Sequence, residues 1–306
     1  MKYIIGHKKP DTDSVCSAIA YARFLRKQGQ QVQAISLGKL NNETSFVLKK
    51  FKTKTPKIIS ILPKKSKVIL IDHNQKIQSI DNLEELDVLE IIDHHSVNIK
   101  SSKTISLCVK PLGSSCSIVA QKYFYNNIGL NKNTARLLLA GIISDTLFFR
   151  SPTTTQIDKD LVFKLNKIAQ IKNLKGFSLD MFEAKSSLGD ISAEDLIKLD
   201  YKIFDFNGNR CGISVMETTN VSNGLNKKKE ISAKLTTIKK RDNLKTIYFT
   251  IIDILNKKSY TLYSDDRAKR LFIELFRAKE DKGVLFVDKL ISRKKQIVPI
   301  FNRKFS

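Results

Sequence analysis

The chain predicts an α/β protein, with an N-terminal doubly wound domain built on a mainly parallel sheet and a smaller C-terminal α/β domain. Short β-branched runs alternate with helical patterns through the first half, which is how a parallel sheet covered by helices is written. A small, polar, glycine-containing stretch, SSLGDISAED from Ser186 to Asp195, then interrupts the pattern and reads as a linker. Beyond it come new strand-like runs at Tyr201 to Phe206, Cys211 to Glu217 and Thr246 to Ile254, and a helix near Arg267 to Ala278. These observations set domains at 1–187 and 196–306, joined by 188–195.

In order along the chain, Tyr3 to Ile5 is a short apolar strand entering a loop that carries His7, Asp11 and Asp13. Pro10 keeps that loop from being helical, and Asp13 or Ser14 can cap a helix from about Val15 to Lys27, stopped by Gly29. Val32 to Leu37 reads as a strand and Glu43 to Phe51 as a helix. Lys67 to Ile71 and Val88 to Ile92 are buried-sheet strands, and a helical pattern from about Asn133 ends at Asp145.

All 4 histidines, His7, His73, His94 and His95, lie in the first third of the chain, each beside an aspartate or in the same short loop as one. Open α/β sheets bind ligands beyond the carboxyl ends of their strands. Asp11, Asp13, Asp72 and the Asp93-His94-His95 triplet all follow predicted strand ends. Singly, such a histidine is more often a satisfied strand-end residue and such an aspartate a helix cap; jointly, they read as a metal site. Imidazole and carboxylate without thiolate point to the manganese and iron end of the transition series. The ligand supply suffices for two ions, the clamp used for in-line attack at phosphorus. A binuclear hydrolase of a phosphorus ester or anhydride follows. The sequence has no GxxxxGK[ST] loop and no GxSxG elbow.

Lysine plus arginine is 54 against 30 acidic residues, a net charge of +24. The surplus favours anions, but lysines are strewn along the whole chain, so a compositional habit explains it slightly better. The cluster Ile291 to Pro299, ISRKKQIVP, sets basic residues between apolar runs where a strand or turn is expected; Arg grips phosphate in bidentate fashion and Lys adds a point charge. The 4 cysteines show no CxxC pairing and read as reduced, buried small hydrophobes. No apolar stretch approaches a membrane span and the N-terminus has too short an apolar run for a signal peptide, so a cytoplasmic location is expected.

The segments GHKKPDTDSVCSA, LIDHN, IIDHH, GIISDTLFFRSPT and SRKKQIVP together resemble the DHH phosphoesterases and, within them, the manganese-dependent (family II) inorganic pyrophosphatases. The resemblance covers almost the whole chain. It implies a DHH domain and a DHHA2 domain with the active site in the cleft between them, in a homodimer. It implies two Mn2+ per subunit, with Co2+ as a further candidate and an additional Mg2+ arriving with substrate. His7 and Asp11 would hold one ion, Asp13 and His94 the other, with Asp72 and Asp145 shared or near both. Pyrophosphate would be split into two phosphates by a metal-bridged hydroxide. Asp13, Asp72 and His95 would be catalytic, and His95, Lys202, Arg293 and Lys294 would bind substrate. The rival readings are an exopolyphosphatase or phosphodiesterase of the DHH family and, from another class, a basic nucleic-acid-binding protein with a structural metal. The second lacks support, because structural sites are closed and often thiolate-rich; no membrane and no specific nucleic acid are expected as partners.

Overall fold

Continuous apolar strands dictate the first layer of structure. In the computed structural model, which describes residues 1–187 and 191–306, the described chain divides into two units, Met1–Lys185 and Ser186–Ser306. The first unit opens with β1 (Lys2–Ile5), α1 (Thr12–Lys27), β2 (Val32–Ser36), α2 (Asn42–Lys50), β3 (Lys57–Ile58), β4 (Lys67–Ile71), β5 (Asp87–Asp93) and β6 (Ser106–Val109). Helices α3 (Ser115–Tyr125), α4 (Lys132–Asp145), α5 (Gln156–Ala169) and α6 (Leu174–Ser186) follow.

The sheet order is β3-β2-β1-β4-β5-β6, and every pairing in it is parallel. Ile4, Ile5, Val68 to Ile71, Ile91 and Ile92 are buried, as strands covered by helices on both faces require. After β1 the chain adds β2 and β3 on one side and then β4 on the other. This reversal of strand order opens a crevice at the carboxyl ends of β1 and β4.

Helix α1 begins earlier than the sequence suggests. Its cap is Asp11, not Asp13 or Ser14: the extended backbone there lets the Asp11 carboxylate accept the Ser14 N–H at 2.9 Å. Asp13 therefore sits in the first helical turn, fully buried. Apart from Arg23, the helix is buried from Thr12 to Leu25, where it packs against α3 and α4.

The second unit contains α7 (Ala193–Lys198), β7 (Tyr201–Phe206), β8 (Asn209–Thr218), α8 (Ser222–Leu225), α9 (Lys228–Arg241), β9 (Thr246–Asp253), β10 (Lys258–Tyr263), α10 (Asp266–Phe276), β11 (Lys279–Asp281), β12 (Val284–Asp288) and α11 (Val298–Phe305). Its sheet runs β11-β12-β10-β9-β8-β7, with β8 and β9 parallel and the other neighbours antiparallel. Alternation along central β9 fills two cores. Ile247, Phe249 and Ile251 pack with Leu196, Ile231 and Leu235 from α7 and α9, while Tyr248 and Ile252 pack with Phe272 and Phe301 from α10 and α11.

Of the expected linker 188–195, residues 188–190 lie outside the described residues. Residues 193–195 are helical, because Ser192 caps α7 by accepting the Asp195 N–H at 3.1 Å. The segment Arg293–Ile297, expected as strand or turn, is a π-helical turn capped by Ser292 and running into α11. Among the described residues no helix is long and apolar enough to cross a membrane.

Candidate metal centre

The crevice collects side chains from segments far apart in sequence. His7 and Asp11 lie between β1 and α1, Asp13 lies within α1, Asp72 follows β4, His94 follows β5, and Asp145 ends α4. Three groups of donors have their ligand atoms mutually within 4.8 Å: His7, Asp11 and Asp72; Asp13, Asp72, His94 and Asp145; and Asp72, His94 and His95. Asp72 belongs to all three. Its Oδ2 lies 3.4 Å from His7 Nε2 and its Oδ1 lies 3.3 Å from His94 Nε2. His7 Nε2 is also 3.3 Å from Asp11 Oδ2, and His94 Nε2 is 3.5 Å from Asp145 Oδ2.

Local hydrogen bonds aim these groups. His94 Nδ1 lies 3.0 Å from the Leu112 carbonyl; donating its proton there turns Nε2 into the crevice as the nitrogen a metal would take once its own proton leaves. That Nε2 is buried, with Asp72 Oδ1 at 3.3 Å and Asp145 Oδ2 at 3.5 Å. Asp13 accepts from the Ser114 hydroxyl at 2.6 Å and from the Ser115 and Cys116 N–H groups at 2.6 and 2.9 Å. The amino end of α3 thereby fixes this carboxylate, and the Ser115 hydroxyl donates to Asp72 Oδ1 at 2.9 Å. Gly141 allows α4 to come this close, since a Cβ there would stand 2.9 Å from Asp13 Oδ1 and 2.3 Å from Cys116 Sγ.

Charge is unbalanced in the crevice. Burial raises the Asp13 carboxyl to about 6, helped by the neighbouring Asp72 charge. Burial and the charges of Asp13, Asp11 and Asp72 push Asp145 well above the usual carboxylate range. Burial also opposes ionisation of Asp72, but hydrogen bonds from His7 and His94 outweigh it and hold Asp72 below that range. Burial would lower His7 and His94, yet their carboxylate partners carry them to about 10 and about 9. Four carboxylates thus face two imidazoles, with the buried His94 Nε2 pointing among them. Borderline nitrogen and hard oxygen donors without thiolate fit manganese, so the donor set passes the test of chemistry as well as spacing.

His95 lies beside the centre, with its side chain 56 % exposed. Its Nδ1 is 2.9 Å from Asp93 Oδ1 and 3.9 Å from Asp72 Oδ1. Asp93, buried, also accepts the His94 and His95 N–H groups at 2.8 and 3.1 Å and the Asn74 amide at 2.6 Å. Sequence reasoning took the triplet as a whole and missed that its aspartate orients the two histidines instead of facing the crevice. It also missed the hydroxyls and amides of Ser114 to Cys116, for which the only signal was a run of small residues before an apolar helix. His73 joins none of the three donor groups among the described residues; its Nδ1 lies 2.9 Å from the Ile71 carbonyl.

The other expected site residues lie in the second unit. Lys202 on β7 and Lys294 are exposed. Arg293 is only 12 % exposed, and its guanidinium donates to Asp200, reaching Oδ1 at 2.6 Å and the carbonyl at 2.5 Å, and to the Ile213 carbonyl at 3.3 Å. Nothing in the sequence spacing signalled that engagement.

The fold and the donor set define a two-domain DHH protein: residues 2–142 match the model of the DHH family N-terminal domain and residues 179–304 that of the DHHA2 domain. The chain is 39% identical to the manganese-dependent inorganic pyrophosphatase of Methanocaldococcus jannaschii, over 100% of both sequences. It is 37% identical to that of Methanothrix thermoacetophila, over 99% of this chain and 98% of the relative. The chain belongs to the family of manganese-dependent inorganic pyrophosphatases. Among solved structures, it is similar to a Methanococcus jannaschii protein assigned to the family II inorganic pyrophosphatases, with a TM-score of 0.65 at 39% identity, covering 100% of this chain and 99% of the other. An exopolyphosphatase-related protein of Bacteroides fragilis, at 16% identity and a TM-score of 0.52, shares the fold.

Proposed function

We propose that this chain hydrolyses inorganic pyrophosphate to two phosphates at a binuclear manganese centre. The observation that carries this reading is Asp72, whose two oxygens face two donor groups, His7 with Asp11 on one side and His94 with Asp13 and Asp145 on the other. A carboxylate so placed could serve two cations at once. Bound there, the ions supply acidity to a water and positive charge against phosphoryl oxygens. The chain supplies alignment. Asp13 and Asp72, fixed by the amino end of α3, hold the donor spacing. His95, with Nδ1 occupied by Asp93, offers Nε2 to a phosphate oxygen as hydrogen-bond partner or proton donor. Lys202, Arg293 and Lys294 are the proposed cationic partners of the departing phosphate, which requires Arg293 to turn part of its guanidinium from Asp200. The reading includes a homodimer, a cytoplasmic location, cobalt as a substitute metal and an additional magnesium entering with pyrophosphate.

The test is phosphate release by metal-stripped protein reloaded with Mn2+ plus Mg2+, given pyrophosphate, tripolyphosphate and a dinucleotide in parallel. Rapid manganese-dependent release from pyrophosphate, with little from the others, is the expected result. Preference for tripolyphosphate or the dinucleotide would overturn the substrate assignment and leave the binuclear centre standing.

A further inference from the structure

Besides Asp93, two buried carboxylates among the described residues of the first unit stand outside the centre: Asp158, which accepts from the Gly113 N–H and the Ser117 and Thr155 hydroxyls, and Glu43. Glu43, in the first turn of α2, is completely buried. Its Oε2 accepts the Thr12 hydroxyl at 2.9 Å and the Ser144 hydroxyl at 2.7 Å. Its Oε1 is buried with no hydrogen-bond partner among the described residues. Leaving a carboxylate oxygen unpaired in the interior is costly, so packing alone is a poor reason for a glutamate here.

The positions of its partners supply a better one. Thr12 stands between Asp11 and Asp13 at the start of α1, and Ser144 immediately precedes Asp145 at the end of α4. Asp13 and Asp145 share one donor group, and as soon as both give up their protons to act as ligands, two carboxylates this close repel each other. Without a tie, that repulsion drives the start of α1 away from the end of α4. Lys185 Nζ, 3.5 Å from the same Oε2, offsets the charge that Glu43 would otherwise add.

We propose that Glu43 is a positioning residue for the metal centre: one carboxylate oxygen ties Thr12 to Ser144 and so holds Asp13 and Asp145 at ligand spacing. The inference rests on the binuclear reading of the site. Since Lys185 balances the charge, the role is geometric, and an amide oxygen at the same place serves it as well.

Calorimetric titration of the metal-stripped protein with Mn2+, beside metal-free thermal melts, tests this. Glu43→Ala is expected to weaken manganese binding about ten- to a hundredfold, the range typical of residues that orient metal ligands. Glu43→Gln, which keeps the accepting oxygen, should stay within about threefold of the unaltered protein. A lowered metal-free melting temperature with unchanged manganese affinity in Glu43→Ala would overturn the proposal by making the residue merely structural. Equal weakening in Glu43→Gln and Glu43→Ala would overturn it by making charge the cause. Should Glu43→Ala fail to fold, Ser144→Ala decides: binding weakened by about threefold or more supports the tie, and unchanged binding overturns it. If the unaltered protein takes up no manganese, the binuclear reading itself fails, an outcome distinct from all of these.

Discussion

Raising the pH is expected to strengthen manganese binding and, in the metal-free protein, to weaken the fold. Burial alone would lower His7 and His94, but Asp11 and Asp72 carry His7 to about 10, and Asp72 with Asp13 carries His94 to about 9. Near neutral pH both imidazoles in the metal-free protein therefore hold a proton that a metal ligand cannot keep. His7 and His94 belong to different donor groups, so loading should release at least about one proton per ion, with affinity rising about tenfold or more per pH unit until about pH 9. Titration calorimetry in buffers of unlike ionisation enthalpy counts those protons. Stability runs the other way. A histidine raised above its ordinary 6.5 contributes stability that is complete below that value and is lost as pH climbs through the folded value of about 9 for His94 and about 10 for His7. Asp13, raised from 3.8 to about 6, adds a loss of the same sign at lower pH. The metal-free melting temperature should thus fall with rising pH while manganese affinity rises. An affinity that stays flat from about pH 7 to about pH 8.5, or release well under about one proton per ion, would refute the reasoning.

Other outcomes follow from single contacts. Gly141→Ala places a Cβ 2.3 Å from Cys116 Sγ and 2.9 Å from Asp13 Oδ1; denaturant unfolding should show a loss of about 1–3 kcal/mol from overpacking, and wild-type stability would contradict the packing described. Asp93→Asn sets an amide donor against the Asn74 amide that now donates at 2.6 Å. It should cost about 1–3 kcal/mol in the same assay and slow phosphate release by unseating His95, without lowering the number of manganese ions bound in calorimetry. Arg293→Ala should leave manganese binding intact and raise KM for pyrophosphate in steady-state kinetics; weaker metal binding in that variant would argue against its assignment to substrate.

The first unit was legible because its signals are local. Runs such as Val68 to Ile71 are buried on both faces, and only a parallel sheet with helices on either side asks for that. Histidines and aspartates at strand ends then converge by topology alone. What escaped reading depends on groups brought together from a distance. Asp13 is fixed by Ser114 to Cys116, about a hundred residues away, and Arg293 is held by Asp200; no spacing rule foretells either. The start of α1 was misplaced by a different cause, since Asp11 and Asp13 are equally good caps by composition and only the extended backbone at Asp11 decides between them. One overlooked signal was plain: Asn207-Gly208 between β7 and β8, both with positive φ (53° and 78°), is the strongest short hairpin signature a sequence carries.

Asp72 shows how fold and site constrain each other. Its N–H still bonds to the Ile92 carbonyl at 2.8 Å, continuing the pairing of β4 with β5, but its φ is +64°, a left-handed conformation costing a residue with a Cβ about 1–2 kcal/mol. Glycine would take that backbone freely and has no side chain to offer. Asparagine tolerates it too, yet presents one accepting oxygen where His7 and His94 approach two. Aspartate alone combines tolerance of the turn with two equivalent oxygens, and the turn falls beside the reversal of strand order where β1 and β4 part. The strain therefore sits where removing it by mutation would also remove the carboxylate that the donor groups share, so a stabilising substitution at this position is expected to weaken manganese binding in titration calorimetry.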